Sequence, residues 1–202
     1  CRYNPPTHTE VTTLDKIIAT FCIPDDLLHI LHHRNDPQAK ITDSEILTIA
    51  ILACQEFGGN MRKALHLVSF VPSESRFNRR LHHLMPLLHA LAPLVHALWQ
   101  HLEPCTAYAL DTFPMPVCEN IRANRCRLAP DKAFRGYKPA HRCYFHEVLA
   151  VVKRRFVESV GSCVHSLLPR RVHAVTLDGF MLKLMCFVYA HNFNLLHKVA
   201  VE

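Results

Sequence analysis

The sequence predicts an α+β chain, in which a helical N-terminal region precedes a region that contains strands. Apolar residues recur at helical spacing through about the first hundred positions, and short β-compatible runs follow. Half of the 202 residues are hydrophobic, which suffices for one sizeable core or two small ones. We place the boundary at Pro104, so that residues 1–104 and 105–202 are the predicted domains.

The first region begins with two helical patterns. Apolar positions from Leu14 to His32 form a stripe that Pro24 interrupts, which predicts two short helices rather than one. Thr42 and Glu45 form a capping box ahead of the apolar run 46–52, and this is the clearest helix start in the chain. The glycines at 58 and 59 are expected to end that helix.

Basic residues characterise the next part of this region. After a short predicted helix at 61–70, a helix that begins near Glu74 carries Arg76, Arg79 and Arg80 at positions i, i+3 and i+4. This spacing puts three guanidinium groups on one helical face, where they can lie along a phosphate backbone. A solvated charged face is the alternative. Pro86 and Pro93 are expected to kink or divide the helical stretch 81–102.

The second region opens with a short strand that is expected to end at Asp111. Prolines 114 and 116 exclude helix and predict an extended segment at 113–118. Residues 143–152 fit a buried strand, and the second half of this run is equally compatible with the start of a helix. Residues 153–168 have helical spacing and include Glu158. A last amphipathic helix is expected at 176–196, with Thr176 or Asp178 as its cap.

Positive charge is concentrated in the middle of the chain. Residues 122–155 contain ten Lys or Arg and two acids, which leaves +8, whereas the whole chain is +6. A local basic patch of this kind usually binds a polyanion. Its basic residues are Arg122, Arg125, Arg127, Lys132, Arg135, Lys138, Arg142, Lys153, Arg154 and Arg155.

Cysteine spacing and hydropathy narrow the classes of protein further. The nine cysteines contain no Cys-x-x-Cys pair, so buried reduced thiols are the expectation and metal binding is the alternative. The late apolar run 180–190 is about half as long as a membrane span and contains Lys183. We therefore expect no membrane partner.

Several strings occur in an order that resembles one family. The string DTFPMPVC at 111–118 comes before Arg125-Cys126, Arg135-Gly136-Tyr137 and Tyr144-Phe145. This order resembles the catalytic domain of DDE transposases of bacterial insertion sequences, above all insertion-sequence family nine-eighty-two. Further stretches fit the same group: TDSE at 42–45, RFNRR at 76–80, Glu158, LPR at 168–170 and HAVT at 173–176.

The resemblance implies a site, a cofactor and a partner. It implies a truncated RNase-H-like catalytic domain, in which Asp111 is the first and Glu158 the last of the acids that hold Mg²⁺ for phosphoryl transfer. It also implies duplex DNA at insertion-sequence ends as the partner, leaves a homodimer open, and implies a bacterial cytoplasmic, nucleoid-associated location. The expected DNA contacts are Arg76, Arg79, Arg80 and the basic residues Arg122, Arg125, Arg127, Arg135, Lys138, Arg142, Lys153, Arg154 and Arg155.

One expected acid is missing. Between Asp111 and Glu158 the single further aspartate is Asp131, which lies in the basic stretch where the family does not place a ligand. Only twelve residues separate Phe145 from Glu158, which indicates an internal deletion.

Two hypotheses follow: a catalytically defective transposase, or a non-catalytic DNA-binding remnant that binds element ends or competes with an intact enzyme. The local +8 charge argues against a third, a helical interaction protein without nucleic acid.

Overall fold

The computed structural model describes residues 13–66, 72–102, 108–119, 136–138, 143–153, 167–169, 172, 174 and 176–201. The helices are α1 (Thr13–Ile30), α2 (Asp43–Glu56), α3 (Met61–Leu65), α4 (Glu74–His83), α5 (Met85–Leu102) and α6 (Leu177–Val201). The strands are β1 (Tyr108–Glu119), β2 (Gly136–Lys138) and β3 (Cys143–Lys153).

Helix α2 lies at the centre of the helical core. Its sequence is apolar on nearly every side, and Leu47, Ala50 and Ala53 are completely buried. Helices α1, α3, α4 and α6 all contact it. A helix that is hydrophobic all round needs neighbours on all sides, so α2 organises the packing of the others.

Both ends of α2 confirm the sequence prediction. The Thr42 hydroxyl accepts a hydrogen bond from the Glu45 amide at 3.2 Å, and the Glu45 carboxylate accepts one from the Thr42 amide at 2.6 Å. At the other end, Gly58 and Gly59 have φ angles of +57° and +81°. The Gly59 amide donates to the Ala53 carbonyl at 2.7 Å, which closes the helix end.

Helix α6 brings the C-terminal part of the chain into the same core. Its Phe187 and Phe193 are almost completely buried, and the Tyr189 hydroxyl donates to the Leu88 carbonyl of α5 at 2.5 Å. The Thr176 hydroxyl accepts from the Gly179 amide at 3.1 Å, which confirms Thr176 as the cap of this helix. The residues of α6 and α2 thus share one hydrophobic core.

Proline has different effects in α1 and at the α4–α5 junction. The predicted break at Pro24 is wrong, because α1 runs through it and buries the proline ring with Leu27 and Leu28. We attribute this continuity to burial, which offsets the lost backbone hydrogen bond. The division near Pro86 is confirmed: α4 and α5 meet at a bend of 57°, with Pro86 in the first turn of α5. Pro93 lies inside α5 and does not divide it.

The strands form one antiparallel sheet in the order β1-β3-β2. Strand β1 pairs with β3 from Tyr108 opposite Lys153 to Glu119 opposite Cys143, and the register shifts between Pro116 and Cys118.

The predicted fold class, an α+β chain with an RNase-H-like catalytic domain, is wrong. The part of the chain whose packing the structure describes is predominantly helical, and its hydrophobic core is drawn from the helices and the loops next to them. The described strands pair only antiparallel, so they contain no parallel βαβ unit of the α/β catalytic domain that the resemblance implies. The physical reason for the error lies partly in α6. This apolar helix follows the strands in the sequence, and it packs against α2 of the N-terminal helices.

No single helix among the described residues is long and apolar enough to cross a membrane. Only α4 and α5 taken together, across their bend, have the length and composition of a membrane span.

Candidate nucleic-acid interface

Helix α4 presents two opposite faces that the sequence determines. Phe77 and Leu81 are four residues apart and almost completely buried, so they fix the inner face of the helix against the core. The Ser73 hydroxyl accepts from the Arg76 amide at 3.4 Å and starts the helix. With the apolar pair inside, Arg76 and Arg79 lie on the outer, exposed face.

The outer face of α4 is positively charged. Glu74 is the single acid within the helix, and its carboxylate accepts two hydrogen bonds from Arg62 at 2.8 and 3.0 Å. Among the residues that the structure describes, no carboxylate forms an ion pair with Arg76 or Arg79. As far as the described residues go, both guanidinium groups can therefore bind an external anion on this face.

Arg80 has a different environment from the other two arginines of α4. Its Nε donates to the Asp43 Oδ1 at 2.7 Å, and its Nη1 donates to the backbone carbonyl of Ile41. The Arg80 side chain is 22% exposed and the Asp43 side chain is 9% exposed. The ion pair spans 37 positions of sequence and fastens α4 to the first turn of α2.

The Asp43 carboxylate is held from a second side. The His33 Nε2 lies 2.7 Å from the Asp43 Oδ2, and the Asp43 amide donates to the Asn35 side-chain oxygen at 2.8 Å. Asp43 is in the first turn of α2, where a negative charge is favourable because of the helix dipole. TDSE at 42–45 and RFNRR at 76–80 are separate strings in the sequence, and no local spacing indicates the cluster that joins them.

Three histidines lie on the end of α4 and on α5, next to the arginines in the sequence. His82, His83 and His89, together with Met85, Pro86 and Asp178, line an open cleft of about 670 Å³ between α4, α5 and the start of α6. No group of three His, Cys, Asp or Glu side chains that could hold a metal ion occurs among the described residues.

The predicted metal ligands and the basic patch fall mainly outside the described residues. Asp111 lies within β1, opposite Ala150, rather than at the end of a strand. Lys138 pairs with Cys143 across β2 and β3, and Lys153 is the last residue of β3. The predictions that lie outside the described residues are those for Glu158, Arg122, Arg125, Arg127, Arg135, Arg142, Arg154 and Arg155.

Comparison with known proteins adds no relative. No protein-family model, no curated protein and no solved structure matches the chain. The likeness to insertion-sequence transposases therefore rests on the strings in the sequence itself. Among the candidate binding residues, those on α4 are the ones whose side-chain contacts the structure describes.

Proposed function

We propose that this chain is a DNA-binding remnant of an insertion-sequence transposase, and that the outer face of α4 binds duplex DNA without cutting it. The observation that carries the proposal is the pair Arg76 and Arg79. Both are exposed on one side of a helix whose single acid is already bound to Arg62. Guanidinium groups suit phosphate because they donate parallel hydrogen bonds and stay charged at any relevant pH.

The mounting of α4 supports this use of its outer face. Phe77 and Leu81 are packed in the core, and Arg80 is fastened to Asp43. The inner face of the helix is therefore fixed by core packing and by the Arg80–Asp43 ion pair, while Arg76 and Arg79 face outward. Fixing a binding surface in advance lowers the entropy that is lost when the partner binds.

The basic patch at 122–155 supports the same partner. Its net charge of +8 comes from the sequence and exceeds that of the whole chain. Additional phosphate contacts from this patch would raise affinity for any duplex sequence. A DNA-binding role also agrees with the transposase-like strings, and implies a cytoplasmic, nucleoid-associated location in a bacterium.

The missing acid favours a binding role over catalysis. Two-metal phosphoryl transfer needs ions fixed by several carboxylates, and the sequence offers no second aspartate where the resemblance expects one. Asp111 and Glu158 would bind Mg²⁺ weakly at most. We therefore expect the chain to bind DNA without cleaving either strand.

Fluorescence anisotropy with a labelled 25-base-pair duplex tests the binding face. The double variant Arg76→Ala/Arg79→Ala should bind at least about 10-fold more weakly at low salt, because two charge-assisted phosphate contacts are lost. The matched control is Lys16→Gln/Arg34→Gln, which removes two exposed cations outside α4 and should bind within about 2-fold of the wild type. Equal affinity of the two double variants would contradict the proposal.

A second assay separates the remnant from an active enzyme. Supercoiled plasmid that carries insertion-sequence ends is incubated with the protein and Mg²⁺ or Mn²⁺, beside an Asp111→Ala variant. We expect no metal-dependent cleavage by either protein. Cleavage by the wild type that disappears in Asp111→Ala would show the chain to be an active transposase.

A further inference from the structure

The bend between α4 and α5 forms a cleft whose walls carry three histidines, and we call it the histidine cleft. His82 and His83 lie at the end of α4, and His89 lies on α5. Asp178, in the first turn of α6, is the one acid among the described residues of the lining. Helices α4 and α5 meet at an angle of 57°, so the ends of three helices enclose a concave surface. Its volume of about 670 Å³ is ample for a phosphate group.

The walls of the histidine cleft are held by the core. Leu88 is almost completely buried, and its carbonyl, next to His89, accepts a hydrogen bond from the Tyr189 hydroxyl of α6. A Cβ placed on Gly179 would lie 3.5 Å from the His82 ring, so the start of α6 lies close to the end of α4. The concave shape is therefore fixed by the packing of α4, α5 and α6.

The histidine cleft continues the line of arginines on α4. Arg76, Arg79 and His83 are at positions i, i+3 and i+7, which puts them on one side of the helix. All three residues are exposed. A phosphate backbone that lies along the two arginines therefore reaches the edge of the cleft one helical turn further on.

The charge of the histidine cleft depends on pH. Within the described part of the chain, its three histidines form no hydrogen bond or ion pair with a carboxylate, whereas His33 lies 2.7 Å from Asp43. An imidazole ordinarily gains its positive charge between about pH 8 and pH 5, and both ring nitrogens then donate hydrogen bonds. The lining carries one negative charge, from Asp178, while the histidines are neutral, and a net charge of +2 when all three are protonated.

We propose that the histidine cleft is a second phosphate-binding subsite for the duplex on α4, and that it binds when its histidines are protonated. This inference rests on the proposed function, because the same duplex must lie along Arg76 and Arg79. Protonated imidazoles donate charge-assisted hydrogen bonds to phosphate oxygens, and each neutralised phosphate releases a counterion. The affinity for DNA therefore rises as the pH falls, although the charge of the arginines stays constant.

Fluorescence anisotropy with the 25-base-pair duplex at about pH 8 and about pH 6, at equal ionic strength, tests the inference on the whole chain. The wild type should bind at least about 10-fold more tightly at the lower pH, because charge-assisted contacts are added. His83→Gln/His89→Gln should reduce this gain to less than about 3-fold. His82 stays in place because its ring lies against the start of α6. The matched control His29→Gln/His101→Gln removes two exposed imidazoles outside the cleft and should keep the gain of the wild type.

A substitution of the acid in the cleft gives a result that loss of folding cannot imitate. Asp178→Asn should tighten binding by about 3-fold at the lower pH, because a bound phosphate no longer faces a carboxylate. Glu56→Gln, at the end of α2 opposite to Asp43, makes the same change in net charge and should leave the affinity within about 1.5-fold of the wild type.

The outcomes separate this inference from the proposed function. Binding at the higher pH that does not tighten at the lower pH would overturn the inference and leave the proposed function standing. An equal gain in the wild type and in His83→Gln/His89→Gln, an equal loss of the gain in His29→Gln/His101→Gln, or equal affinities of Asp178→Asn and Glu56→Gln would do the same. No binding at either pH would contradict the proposed function as well.

Discussion

Helices α2 and α4 lie close together in the sequence, with only α3 between them, and their surfaces differ in polarity and exposure. Helix α2 is apolar on nearly all sides and is covered by four neighbouring helices. Helix α4 buries only Phe77 and Leu81 and exposes most of its polar residues, among them Arg76 and Arg79. The difference shows that stability and binding depend on different helices in this chain. Helix α2 stabilises the core through its buried side chains, whereas α4 packs on the core through a narrow apolar stripe and exposes a charged face.

The largest expected effect comes from truncation within α2. Leu47→Ala removes a completely buried side chain and should lower the free energy of unfolding by about 3 kcal/mol, because a cavity remains in a tightly packed core. Arg79→Ala on the exposed face of α4 should change it by less than about 0.5 kcal/mol. Urea unfolding followed by circular dichroism measures both. Similar losses in the two variants would remove the contrast between the helices.

The turn after α2 allows a comparison of two neighbouring glycines. A Cβ at Gly59 would lie 2.8 Å from the Phe187 ring of α6, whereas a Cβ at Gly58 meets no atom within 4 Å. Both residues have positive φ, so both alanine variants incur about 1 kcal/mol of backbone strain. Gly59→Ala should cost about 1–2 kcal/mol more, because the ring must shift. If thermal unfolding gives the two variants equal stability, Phe187 does not pack on this turn.

The ion pair between Arg80 of α4 and Asp43 of α2 should contribute an intermediate amount to the free energy of unfolding. Asp43→Asn keeps the shape and leaves Arg80 and His33 without their carboxylate partner, which we expect to cost about 2 kcal/mol in this partly buried site. Glu74→Gln breaks an ion pair whose arginine is 75% exposed, and should cost less than about 1 kcal/mol. Denaturation of the two variants in parallel tests the ranking. A larger loss for Glu74→Gln would contradict it.

The smallest effect concerns pH. Burial, and secondly the charge of Lys16, lower the pKa of His197 from its ordinary value of 6.5. The folded state therefore favours the neutral imidazole, so this contribution to stability is complete above about pH 6.5 and is lost as the pH falls below it. His197→Gln should flatten the fall in the unfolding midpoint from pH 7 to pH 5, because this partly buried imidazole is then absent. A curve unchanged in His197→Gln would contradict this assignment.

Local patterns in the sequence predicted the ends of α2 and the cap of α6 because caps depend on residues close together in the chain. The Thr42–Glu45 box and the Gly58-Gly59 end are of this kind. The break at Pro24 was wrongly predicted because a local rule takes no account of the burial that holds α1 together. Arg76 and Arg79 as exposed cations followed from helical spacing.

Long-range contacts were not predictable from one sequence. The partnership of Arg80 with Asp43 crosses 37 positions, and the packing of α6 on α2 joins parts of the chain more than 120 positions apart. The RNase-H-like fold was inferred from short strings, and strings do not specify how a late apolar helix will pack. In this chain α6 packs with the N-terminal helices.

The central claim is that α4 binds duplex DNA through Arg76 and Arg79, and the salt dependence of binding tests it most directly. If the wild type neutralises about six phosphates, log K should fall against log salt with a slope near −5. Arg76→Ala/Arg79→Ala should give a slope flatter by about 2, and Lys16→Gln/Arg34→Gln should keep the wild-type slope. A slope unchanged by the α4 substitutions, or no binding by the wild type at low salt, would contradict the account.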